Sequence, residues 1–183
     1  MKKEREPVFK IQIKILPVGS VEPEVLDAML AGLVKIFPWG ATSGKETPLP
    51  EISYDSQKKQ YNADEILGTL KMLRSNPHEL IIGVTNADLY VPGLNFVFGE
   101  ADVNSSVVII SLARLHQEFY GLRPDRRLFL DRAVKEAVHE LGHACGLDHC
   151  DSPACIMYFS NSIDDTDRKG PGFCRICKEM LGI

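Results

Sequence analysis

Residues 138–150 read Val-His-Glu-Leu-Gly-His-Ala-Cys-Gly-Leu-Asp-His-Cys and hold three of the chain's five histidines. On a helix, His139 and His143 stand four residues apart, about one turn. Both imidazoles can then reach one metal ion, with Glu140 beside them as a general base. Gly146 follows the second histidine by three residues, and His149 follows the glycine by three. This spacing predicts a helix that stops at the glycine and a third imidazole that swings back. Three neutral imidazoles and a water make a four-coordinate zinc with an open position, the catalytic arrangement rather than the structural one. Such a zinc brings the pKa of its water towards neutrality, and Glu140 can take that proton and pass it to a leaving amine. The chemistry is metal-assisted hydrolysis of an amide, with a peptide bond as the expected target. The competing interpretation is a zinc-stabilised module that binds peptides without cleaving them. Glu140 argues against it, because a non-catalytic site has no use for a base there.

Four of the five cysteines follow in two close pairs: Cys150 and Cys155, then Cys174 and Cys177 as Cys-x-x-Cys. Thiolates in that layout suit a closed, tetrahedral structural zinc, and two disulfides are the alternative. Cys145, on the apolar face of the helix, is expected to be a small buried residue. Met157 could form an apolar floor under the histidine site or simply fill the core. Tyr158 could donate to a developing oxyanion or lie at an interface. Glu136, on the histidine face, is expected to be solvated. His78 and His116 make unconvincing ligands.

These residues need elements to hold them. Alternation over Val8–Val18 predicts a strand, and apolar residues at helical spacing from Pro23 to Phe37 predict a helix. Residues 39–58, rich in Gly, Pro and Ser, are expected to be irregular, with a short strand near Ile52–Tyr54. A helix capped at Asn62 and running towards Asn76-Pro77 comes next, then strands over Glu79–Thr85, Phe96–Ala101 and Val107–Leu112, with a loop at 86–95. After a polar connection at 114–127, a long helix starts near Leu128. Leu130, Ala133, Val134, Ala137, Val138, Leu141 and Ala144 share one face of it, and the histidines point the other way.

At 183 residues with 44% hydrophobic content the chain suits one domain with a sizeable core. A net charge of −4, together with Asp164, Asp165 and Asp167 between the cysteine pairs, argues against nucleic acid as a partner. The charged N-terminus lacks an apolar signal-peptide core and no run is long enough for a membrane span, so a soluble, cytoplasmic protein is expected, without membrane partners.

With both residue sets in view, the sequence resembles the archaemetzincins, a branch of the metzincin zinc peptidases. The resemblance rests on His139-Glu140-x-x-His143-x-x-Gly146-x-x-His149-Cys150, Cys155-x-Met157 and Cys174-x-x-Cys177. The sixteen residues between Met157 and Cys174 fall one short of the family pattern, a change in a Gly- and Asp-rich loop that should not disturb the ligands. The resemblance implies an α/β (α+β) metzincin-like fold: a twisted mixed sheet with backing helices, a long active-site helix and a small zinc-stapled C-terminal subdomain. One catalytic domain is expected, divided into residues 1–149 and 150–183. By the same resemblance, His139, His143 and His149 hold a catalytic zinc, Glu140 is the base, and Met157 is the Met-turn residue. Cys150, Cys155, Cys174 and Cys177 hold a second, structural zinc. Phe96–Ala101 becomes the candidate edge strand for an extended peptide or protein substrate. A monomer is expected.

Overall fold

The computed structural model describes residues 11–183. Its central sheet has five strands: β1 (Gln12–Pro17), β2 (Gly40–Ser43), β5 (Glu79–Thr85), β7 (Gly99–Asp102) and β8 (Val107–Ser111), in the order β2-β1-β5-β8-β7. The first four in that order run parallel, and β7 closes the edge antiparallel to β8. A smaller sheet joins β3 (Tyr54–Asp55), β4 (Gln60–Asn62) and β6 (Leu89–Tyr90). The helices are α1 (Pro23–Ile36), α2 (Ala63–Met72), α3 (Arg126–Ala144), α4 (Ile163–Arg168) and α5 (Arg175–Leu181).

Strand alternation divides the core between the two faces. Ile13, Ile15, Leu80, Ile82, Val84, Val108 and Ile110 face α1 and α3, whereas Leu16, Ile81, Val107 and Ile109 face α2. The chain moves from β1 through α1 to β2 on one side, then through α2 across β1 to β5 on the other. Right-handed crossovers taken in opposite directions place their helices on opposite faces. Thus α1 shares a face with α3, and only α2 backs the other side. The approach of α1 to α3 is close at Gly32, where a Cβ would collide with Val134.

Several boundaries differ from expectation. The first strand is seen from Gln12, and Val8–Lys10 lie outside the described residues. The supposedly irregular stretch contains β2, whose exposed edge position needs no apolar alternation. Ile52 and Ser53 belong to a 3₁₀ turn, with β3 following at Tyr54, and the 86–95 loop contains β6. The second helix stops at Met72, short of Asn76, and Asn62 caps it by accepting from the Asp64 amide at 2.9 Å. The strand expected over Phe96–Ala101 is β7, which starts at Gly99. The 114–127 connection holds two 3₁₀ turns, and α3 begins at Arg126, capped by the Asp125 carboxylate.

The largest departure concerns α3, which is buried nearly all round in its second half because the segment after residue 150 folds over its polar side. Arg132 makes two 2.6 Å bonds to the Asp167 carboxylate, and Lys135 donates to the Thr166 and Asp167 carbonyls at 3.2 Å. Glu136 is therefore not solvated. It is 2% exposed, accepts from the Thr166 hydroxyl at 3.1 Å, and lies 2.9 Å from the fully buried Lys169 ammonium. Among the described residues no helix is long and apolar enough to cross a membrane.

Candidate active site and cysteine centre

The end of α3 is a Schellman turn. The Leu147 amide donates to the Gly142 carbonyl at 3.0 Å and the Gly146 amide to that of His143 at 2.8 Å, with Gly146 at φ +88°. Only glycine takes that conformation cheaply, and the turn sends the chain back so that His149 rejoins the helix's own histidines. The ring centroids of His139 and His149 are 5.4 Å apart, and those of His143 and His149 4.7 Å.

Backbone carbonyls fix the orientation of two rings. His139 Nδ1 donates to the Ile156 carbonyl at 2.8 Å and His143 Nδ1 to that of Leu147 at 2.7 Å. A carbonyl can only accept, so both Nδ1 atoms carry the proton. Burial holds His139 neutral, with its pKa down at about 2, and also lowers those of His143 and His149. In two neutral rings with Nδ1 protonated, both Nε2 atoms present lone pairs, and these lie 3.1 Å apart. Two lone pairs at that distance repel unless a cation sits between them. Two nitrogens on one zinc at ~2.0 Å, tetrahedrally arranged, would be about 3.3 Å apart. One nitrogen from each of the three histidines falls within 4.8 Å of the others, so the group could hold a metal ion.

Glu140 is 6% exposed and packs beneath the edge strand. A Cβ at Gly99 of β7 would lie 2.6 Å from Glu140 Cγ, so glycine is what lets strand and carboxylate meet. Burial, followed by the neighbouring Glu136 and Glu100 carboxylates, pushes Glu140 well above the ordinary carboxylate range. Met157 is fully buried under the same helix, and its sulfur occupies the space that a side chain at Gly142 would need. The floor and core interpretations of Met157 therefore coincide. Tyr158 does not line the cleft. Its neighbour Phe159 does, and its ring stands edge-on to His149 at 4.7 Å. The cleft in front of the histidines has a volume of about 650 Å³.

The four cysteines gather at the far end of the Cys150–Met157 segment. Cys150 Sγ lies 3.9 Å from Cys174 Sγ, and Cys155 Sγ 3.7 Å from Cys177 Sγ, all four being free thiols. A disulfide needs about 2.05 Å, whereas four sulfurs on one zinc at ~2.3 Å would stand about 3.8 Å apart. The Cys177 amide at the start of α5 helps bring the Cys174 thiol down to about 7, while burial pushes the Cys177 thiol up. Cys145 is only half-buried, packed on the core with its thiol pushed up to about 11 by burial. His116 stacks on Phe129 at 3.8 Å, away from either centre.

Gly99, Phe159 and the Glu136–Lys169 pair were not legible as site residues in the sequence. A glycine inside a strand pattern was the one usable signal, since it marks close approach of another group.

Residues 31–182 match the sequence model of Peptidase family M54. The archaemetzincin of Pyrococcus furiosus is 43% identical over 175 residues, covering 92% of this chain and 91% of the relative. Among solved structures, a zinc-dependent peptidase from Methanocorpusculum labreanum superposes with a TM-score of 0.86 at 33% identity, covering 92% of this chain and 99% of that one. The archaemetzincin of Methanopyrus kandleri gives 0.84 at 35% identity, covering 97% and 96%. A mixed sheet over a histidine-bearing helix, with these likenesses, defines a zinc-dependent metallopeptidase. The chain belongs to peptidase family M54, the archaemetzincins.

Proposed function

We propose that His139, His143 and His149 hold a catalytic zinc and that Glu140 is the proton-transfer residue in hydrolysis of a peptide bond. The observation that carries this is the pair of outward-facing Nε2 atoms 3.1 Å apart, with both Nδ1 atoms committed to carbonyls. Zinc bound there supplies a Lewis acid for the scissile carbonyl and a water of lowered pKa. Glu140, held between α3 and β7, takes a proton at its carboxylate and returns it to the leaving amine. Its buried setting raises its proton affinity above that of an ordinary carboxylate. The edge strand β7, with its outer side unpaired in the five-stranded sheet, offers backbone groups to an extended substrate.

Cys150, Cys155, Cys174 and Cys177 hold a second, structural zinc that staples residues 150–183 onto the larger part, 1–149. That segment contributes Ile156, Met157, Ile163 and Phe173 to the common core rather than forming one of its own. Four clustered thiols favour a reducing compartment such as the cytoplasm.

Zinc analysis and peptide digestion test this together. Wild type should carry about two zinc per chain and cleave a diverse peptide library. His143→Ala/His149→Ala should carry about one, and Glu140→Ala should keep both and lose hydrolysis. A Glu140→Ala variant as active as wild type would overturn the assignment of Glu140, and a double mutant retaining both zinc ions would overturn that of the histidines.

A further inference from the structure

The cleft is walled by large apolar side chains that remain in contact with solvent. Leu94, Val103 and Phe159 are 55%, 51% and 49% exposed, and all three line it. Exposed apolar surface gathered beside a reacting centre is the usual makeup of a ligand subsite.

This wall is built rigidly. Phe96, which also lines the cleft, carries the Arg114 guanidinium on its ring at 4.2 Å, and Asp88 holds that guanidinium through two bonds of 2.7 and 2.8 Å. Gln60 donates to the Asn95 carbonyl at 3.0 Å, and the Val97 amide to that of Leu89 at 3.0 Å. Residues 94–98 run directly into β7, where Gly99 meets Glu140, and Phe159 touches His149. Both parts of the apolar wall therefore adjoin the residues that do the chemistry.

Charge points the same way. Glu100, Glu136, Glu140 and Asp148 line the cleft, Glu136 being paired with Lys169, and among the described residues no lysine or arginine lines it. An acidic substrate side chain would lose its hydration against the apolar wall and meet Glu100 and Asp148, with no lysine or arginine to receive it while the proposed zinc is engaged by the scissile carbonyl.

We propose that the cleft selects peptides carrying a bulky apolar residue beside the scissile bond and rejects acidic ones, with Leu94, Phe96 and Phe159 as the specificity-determining residues. The selection rests on the peptidase reading above. It also has a signature independent of turnover, because the apolar wall must discriminate in binding.

The test uses fluorescein-labelled peptides with Leu, Phe, Lys or Asp on either side of one central amide. Zinc-loaded wild type should cleave the Leu or Phe peptides with kcat/KM about tenfold or more above the Asp peptides. Zinc-loaded Glu140→Gln should bind them, by anisotropy, in the same order. Leu94→Lys should shrink the Leu-over-Asp ratio about tenfold, mostly through KM and at unchanged zinc content, while Leu94→Met keeps it. Equal cleavage and binding of Leu and Asp peptides by the Leu94 protein overturns the proposal, as does an unchanged ratio in Leu94→Lys. If wild type cleaves nothing, the mechanism falls, and the anisotropy order alone decides the selectivity.

Discussion

The histidine and cysteine groups lie on adjoining stretches of chain, His149 being bonded to Cys150, yet their surroundings contrast. The four sulfurs lie within 4.8 Å of one another, with spacings of 3.9 and 3.7 Å in two pairs, and none of the four residues lines the cleft. The three histidines go from buried to half-buried to exposed, and all face it. Their supports differ as well. The histidines stand on a 19-residue helix and its cap, and backbone carbonyls orient two of their rings. The cysteines stand on two short segments whose only helix among the ligands, α5, has seven residues. There a bound ion would supply much of the fold. An open group suits exchange of water and substrate, and a closed group suits permanence.

The two regions are nevertheless tied. Ile156, between Cys155 and Met157, supplies the carbonyl that orients His139, and the Cys150 amide donates to the Met157 carbonyl at 2.9 Å. Lys169, on the loop that the cysteines close, pairs with Glu136 on the catalytic helix. Breaking the cysteine centre should therefore have the largest effect. Cys174→Ser should lose its own zinc, with a loss of stability on the order of several kcal/mol, and expose residues 150–183 to proteolysis. With the Ile156 carbonyl released, zinc affinity at the histidines should fall about 10–100-fold. Normal affinity there would show that the two centres are independent.

Next comes the ion pair between them. The Lys169 side chain has no exposed surface, and its contact with Glu136 is ionic rather than a directed hydrogen bond. Lys169→Met leaves a buried carboxylate uncompensated and should cost about 3–5 kcal/mol in urea unfolding. Adding Glu136→Leu should recover most of that loss, and a double mutant as unstable as the single would assign the cost to packing.

A smaller effect separates the groups by pH. Burial lowers the His139 pKa from 6.5 to about 2, so below 6.5 the unfolded chain takes up a proton that the folded one refuses. Stability of the zinc-free protein from this residue is thus full above 6.5 and falls as pH drops, by about 2 kcal/mol at pH 5. His139→Gln should flatten that slope in urea midpoints measured between pH 7 and 5. An unchanged slope would place the titration elsewhere.

The smallest effect should follow Gly146→Ala. Forcing a side chain to φ +88° should cost about 1–2 kcal/mol and displace His149, weakening zinc at the histidines while leaving the cysteine centre intact. Separate zinc titrations of the two centres would show whether the loss is confined to the first.

How much was legible can be judged residue by residue. That His139, His143 and His149 gather beside Glu140, with the chain turning back at Gly146, was legible from spacing alone, because helix periodicity and a glycine stop are local rules. The parallel strands β5 and β8 were found because burial on both faces demands continuous apolar runs, and β1 was found from its alternation. The edge strand β2 was missed because an exposed strand needs no such run, and Glu136 was misjudged because its partner lies 33 residues away, in a loop without periodicity.

The sequence by itself determined the two clusters of metal-ligating side chains, the helix that carries one of them, and the class of chemistry they allow. These depend on residue type and on distances of one or two turns. Only the tertiary structure decided that Gly99 brings the edge strand onto Glu140, that Ile156 orients His139, that Lys169 neutralises Glu136, and that Phe159 and Leu94 share one cleft. Each of these joins residues distant in sequence, or fixes which way a backbone group points. That is settled by how the C-terminal segment and β7 pack around α3, and local pattern carries no record of it.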